Sequence, residues 1–131
     1  MSGAAGDLRS DLGRVRGLGS AKEGVHHWWM QRLSAIALVP LTIWFVASLI
    51  AHTGAGYYAV SAWLSSPVVF GLMVLLVAAT FYHAALGLQV IIEDYIHREA
   101  AKITLLLLMK FSCSLLALAA VVSLLVIAFG R

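Results

Sequence analysis

This sequence is poor in cysteine and proline, and over nearly half its length it carries no charged side chain. Its one cysteine, Cys113, sits in an apolar run. A lone thiol excludes an intrachain disulfide and leaves no C-x-x-C pair for an iron–sulfur cluster or a zinc ion. The two prolines are Pro40 and Pro67. Pro40 falls inside a hydrophobic stretch and is expected to kink it, whereas Pro67 stands where a helix can begin, because the first turn does not use the missing N–H. No Gly-rich fingerprint opens a βαβ unit, which argues against a self-contained dinucleotide enzyme. The largest absence is of Asp, Glu, Lys and Arg from residues 33–92. No water-soluble fold needs sixty residues without a charge.

Hydrophobic residues fill the space left by these absences, at 62% of the chain, and that implies a surface partly covered by lipid. A bilayer core is crossed by about 20 apolar residues in a helix. Three stretches meet that length, at about 33–51, 68–92 and 103–129. The fold class expected is therefore all-α, an integral membrane protein of three transmembrane helices. Residues 1–25 are rich in Gly, Ser and charge and lack the short apolar core of a cleavable signal, so they are expected to be a polar N-terminal segment preceding an anchor domain over 26–131.

The charges that do occur indicate an orientation. Arg9, Arg14, Arg16, Lys22 and Arg32 precede the first span, and the linker 93–102 (EDYIHREAAK) is dense with charge. The linker 53–66 has none, but Tyr57, Tyr58 and Trp63 suit a membrane interface. By the positive-inside rule the N-terminus and the second linker face the cytoplasm, and the C-terminus faces the periplasm. Trp28 and Trp29 then form the inner aromatic belt, and Lys110 snorkels to the same side. Basic residues that flank a span read as topology control, not as a nucleic-acid groove.

His83 is the one ionisable side chain in the middle of the second span, and a polar group at that depth is costly enough to mark a functional candidate. Two readings are open: a ligand to a bound group, or a hydrogen bond that joins two helices. Gly87 lies one turn on along the same face, where the missing side chain leaves space for a flat group. Asp94 returns to within about 20° of His83 and lies about 16 Å along the axis, at the cytoplasmic end, with Tyr95 beside it. A low-spin haem needs two axial ligands. His97 is about 21 Å from His83, and His52 lies at the outer end of the first span, so the second ligand is expected from another subunit. At the start of the first span, Arg32 reads as a topology anchor, and with a neighbouring histidine it could also pair with haem propionates. Ser34, just inside, is expected to hydrogen-bond a headgroup or, more commonly, a neighbouring helix.

The pattern GVHHWWMQR-x-SA before the first span, together with H-x10-DY from His83 to Asp94-Tyr95, resembles the hydrophobic membrane-anchor subunits of succinate dehydrogenase, complex II. The resemblance extends over the whole chain. It implies an anchor in the bacterial inner membrane that pairs with a second membrane-anchor subunit of the cytochrome b type. Together the two would dock the iron–sulfur and flavoprotein subunits on the cytoplasmic face. It also implies haem b as cofactor, with His83 as one axial ligand and His26 and Arg32 near the propionates. Tyr95 would hydrogen-bond a ubiquinone carbonyl, supported by Asp94. The sequence departs from the family's pattern in having a His26-His27 pair where a single histidine is expected. Spacing to Arg32 favours His26, and His27 remains the other candidate. The rival readings are the anchor of a fumarate reductase and a non-redox membrane scaffold or transporter subunit with a structural His83.

Overall fold

The computed structural model describes residues 22–130. They form four helices: α1 (Lys22–Ala51), α2 (Tyr57–Leu64), α3 (Pro67–Tyr95) and α4 (Glu99–Phe129). The chain is a multi-pass membrane protein, because α1, α3 and α4 are each long and apolar enough to cross a bilayer. At 1.5 Å per residue, the 29 to 31 residues of α3 and α4 extend well beyond the ~30 Å of hydrocarbon they must span. The surplus turns include Glu93, Asp94 and Tyr95 at the end of α3 and Glu99 and Lys102 at the start of α4, where water can solvate their charges.

Pro67 occupies the start of α3, after Ser66 with extended backbone, as its missing N–H requires. Pro40 lies inside α1, which continues through it to Ala51. The linker 53–66 contains more structure than its composition signalled, since Tyr57–Leu64 coil into a two-turn helix with hydrophobic side chains all round it. Gly54 turns the chain between α1 and α2 with a φ of 81°, a conformation that side-chain-bearing residues rarely adopt.

The helix α3 is central. It packs against α1 on one side and α4 on the other, while the backbones of α1 and α4 stay apart. The three spans thus form an open layer instead of a closed bundle. Among the described residues, only Leu41, Leu64, Ala128 and Ser34 are buried, which leaves large apolar side chains such as Ile36, Ile43, Ile50 and Phe111 outward. In water such a surface would aggregate, whereas in lipid the open layer is stable and can receive further helices.

At the α2 end the chain closes on itself. Ser61 Oγ donates to the Ile127 carbonyl at 2.7 Å, satisfying one of the last carbonyls of α4, which have no partner within their own helix. Phe70 and Phe129 meet edge-on with ring centroids 5.3 Å apart. Trp63 lies between Trp44 (6.2 Å) and His52 (4.5 Å). His52 also donates from Nδ1 to the Ser48 carbonyl at 2.8 Å, which ties this ring to its own helix.

Candidate functional site

The contact between α1 and α3 centres on His83. On α1, the residues His27, Gln31, Ser34 and Leu41 recur at spacings that place them on one stripe, and that stripe faces α3. Ser34 is 8% exposed and is the buried polar residue of the described chain. Its hydroxyl donates to the Gln31 carbonyl at 3.0 Å, and its Oγ lies 2.9 Å from His83 Nδ1. On the other edge of the ring, Gln31 Nε2 stands 3.5 Å from His83 Nε2. The same amide lies 3.5 Å from where a Cβ on Gly87 would be. The space above Gly87, one turn from His83, is therefore bordered by a polar side chain of α1.

This neighbourhood is incompletely satisfied. Gln31 Oε1 and His27 Nε2 are buried and have no hydrogen-bond partner among the described residues. A buried polar atom without a partner costs about 1–3 kcal/mol, so such atoms point to a missing group. Beside them, toward the charged end, a cleft of about 590 Å³ opens between α1 and α3. It is lined by Gly24, His26, His27 and Met30 from α1 and by Tyr82, Leu86, Gln89 and Glu93 from α3. Gln89 Nε2 donates to Glu93 Oε1 at 2.8 Å along its rim.

His26 and His27 both line the cleft, His26 exposed and His27 half-buried. Arg32 does not line it: its guanidinium carbon lies 4.8 Å from the Trp28 ring centroid, a cation–π contact one turn back on an exposed part of α1. Asp94 and Tyr95 occupy the last turn of α3, and both are exposed, Tyr95 at 76%. Among the described residues, His26 and His27 share the cleft, whereas Arg32, Asp94 and Tyr95 do not line it. What the sequence left unmarked is Gln31. Its position four residues after His27 and three before Ser34 was the available signal, a helical stripe leading to the one serine just inside the span.

The hydrogen bond between helices that an intramembrane histidine is expected to make is thus present, through Nδ1. It leaves the second ring nitrogen facing a donor amide at the outer limit of hydrogen bonding. An imidazole anchored on one nitrogen and presenting the other is equipped to bind a metal or an acidic proton.

The fold and site therefore define a small three-span membrane protein built around an intramembrane histidine, open along one side. Residues 7–127 match the sequence pattern of the family described as succinate dehydrogenase/fumarate reductase transmembrane subunit. The chain is 35% identical over 104 residues to the succinate dehydrogenase hydrophobic membrane anchor subunit of Rickettsia bellii (strain RML369-C), a match covering 79% of this chain and 83% of that protein. It is 30% identical over 119 residues to the protein of the same name from Rickettsia conorii (strain ATCC VR-613 / Malish 7), covering 90% and 94%. It is also 30% identical over 105 residues to that from Paracoccus denitrificans, covering 80% and 81%. No solved structure matches it significantly. The chain belongs to the succinate dehydrogenase/fumarate reductase transmembrane subunit family, as a hydrophobic membrane anchor of the succinate dehydrogenase kind.

Proposed function

We propose that this anchor co-ligates haem b through His83 and forms part of a ubiquinone-reduction site with Tyr95 and Asp94, in a complex that passes electrons from succinate to quinone. The observation that carries this reading is the state of His83, which is held at Nδ1 by Ser34 and meets only the Gln31 amide, at the 3.5 Å limit of hydrogen bonding, at Nε2. Unpaired buried atoms on Gln31 and His27 border it. These residues fit a haem. The His83 imidazole would supply the iron ligand, and His26 or His27 in the adjoining cleft would supply hydrogen-bonding partners for propionates. Arg32 would have to leave Trp28 to join them. Haem b, when bound, supplies a one-electron reservoir close to the quinone.

The chain's own residues would do the rest. His83 Nε2 would hold the iron, and a second anchor subunit of the cytochrome b type, packed against the open side of α3, would supply the other protein ligand. Tyr95, at the water boundary, donates its phenolic proton in a hydrogen bond to a quinone carbonyl, and Asp94 next to it holds the local charge and water needed for proton uptake. Both side chains are exposed in the isolated chain, which suits groups whose partners lie on other subunits. The charged ends of α1, α3 and α4 would face the cytoplasm, where the iron–sulfur and flavoprotein subunits dock, and the uncharged α2 end would face the periplasm of a bacterial inner membrane.

A reduced-minus-oxidised spectrum of the purified complex tests the reading. His83→Ala is expected to remove the b-type band while dye-linked succinate oxidation persists. A full band in that variant would exclude His83 as the ligand and favour a structural histidine.

A further inference from the structure

We infer that Ser34 is the positioning residue for His83: its hydroxyl selects the tautomer of the imidazole and tunes the iron that Nε2 would bind. The inference rests on the haem reading above and adds a residue to it. The Ser34 hydroxyl has one proton, and that proton is given to the Gln31 carbonyl at 3.0 Å. With the hydroxyl proton so used, the 2.9 Å contact to His83 Nδ1 is open to a bond that the ring donates, Nδ1–H to Ser34 Oγ, which is the direction a neutral imidazole ligating through Nε2 requires. A neutral imidazole protonated at Nδ1 carries its lone pair at Nε2. The Gln31 amide, a donor, faces Nε2 at 3.5 Å and agrees with that assignment independently.

Without the hydroxyl, His83 Nδ1 would have no hydrogen-bond partner among the described residues, and only the long Gln31 contact would bear on the ring angle. Ser34 is suited to this role because its own backbone is locked within α1 and its side chain is almost fully shielded, at 8% exposure. The bond stays out of competition with water. In the chain alone the Gln31 amide is the nearest polar neighbour of Nε2, and it must turn aside when iron binds there. Gly87 leaves its side chain room to do so, because apart from Gln31 Nε2 nothing lies within 4 Å of a Cβ placed on that glycine.

A hydrogen bond donated by the far nitrogen of a ligating imidazole makes the near nitrogen a stronger electron donor. Stronger donation favours ferric over ferrous iron, so the Ser34 bond holds the haem potential down. Partners of this kind affect metal binding by about 10- to 100-fold. Taking the lower end, Ser34→Ala in the complete purified complex is expected to raise the ferrous-to-ferric ratio at a given potential about tenfold, an upward midpoint shift of about 59 mV for one electron. The low-spin electron paramagnetic resonance signal should broaden as the ring angle becomes less defined. Ser34→Thr, which keeps a hydroxyl able to bond back along the helix, should restore both values.

An unchanged midpoint and resonance signal in Ser34→Ala, with the band absent in His83→Ala, would overturn the role of Ser34 and leave the haem reading standing. A normal band in His83→Ala would remove both together. Should Ser34→Ala fail to assemble, Ser34→Cys provides the measurement. Its weakly accepting sulfur should shift the midpoint upward by less, and no shift would refute the proposal.

Discussion

The two ends of this three-span layer differ in how far the chain satisfies its own polar groups. At the α2 end, His52, Ser61 and Thr53 each find a carbonyl within the chain, and Leu64 and Ala128 are buried there. At the charged end, His27 Nε2 and Gln31 Oε1 are buried without partners among the described residues, a cleft of about 590 Å³ stands open, and Tyr95 is 76% exposed. The first end meets these polar groups within one chain, while Tyr57 and Tyr58 of α2 are exposed there. The second has the character of an interface, where polar groups unmet among the described residues can be met by another surface.

That contrast can be broken by substitution. The largest effect after loss of His83 is expected at the closed end, where Leu64→Ala should lower the stability of the purified complex by about 2–5 kcal/mol through the cavity it leaves. Thermal unfolding in detergent would register this, with the b-type band unaltered at low temperature. A loss of the band under those conditions would mean that the two ends are not separable. At the open end, Tyr95→Phe should slow ubiquinone reduction about five- to tenfold, the worth of one hydrogen bond, while leaving thermal stability and dye-linked succinate oxidation unchanged. Equal losses in both assays would assign Tyr95 to assembly. The smallest effect belongs to Ser61→Ala, which frees the Ile127 carbonyl and should cost about 0.5–1.5 kcal/mol in stability with no change in turnover.

Much of the architecture is legible in the sequence. Charge-free residues 33–92 and the 20-residue requirement of a bilayer delimited the spans, and Pro67 marked the start of the second of them within a residue. The helices overrun those limits because hydropathy registers the lipid boundary, whereas backbone hydrogen bonding continues into the headgroup region. The helix Tyr57–Leu64 was not legible, since eight uncharged residues with three aromatics fit an interfacial loop equally well by composition. Its form depends on packing against α4.

The site shows the same division. His83, Asp94 and Tyr95 stood out because ionisable and phenolic groups are rare in or beside an apolar span. Gln31 did not stand out, because an uncharged amide at a membrane boundary has nothing unusual in its residue type. Only the packing of α1 on α3 brings its amide to 3.5 Å from His83 Nε2. The same packing turns Arg32 toward Trp28 and brings His27 onto the inward stripe, a distinction that linear spacing between adjacent histidines cannot make.

The sequence by itself determined that this protein lives in lipid, how many times it crosses, and which rare polar residues its apolar helices carry, because transfer of charge into hydrocarbon is a local cost summed along the chain. Only the tertiary structure decided which face of α1 meets which face of α3, and therefore that Ser34 rather than a charged neighbour holds His83. Helix–helix contacts in a membrane depend on side-chain fit across residues far apart in sequence, and no local property of either helix specifies that fit.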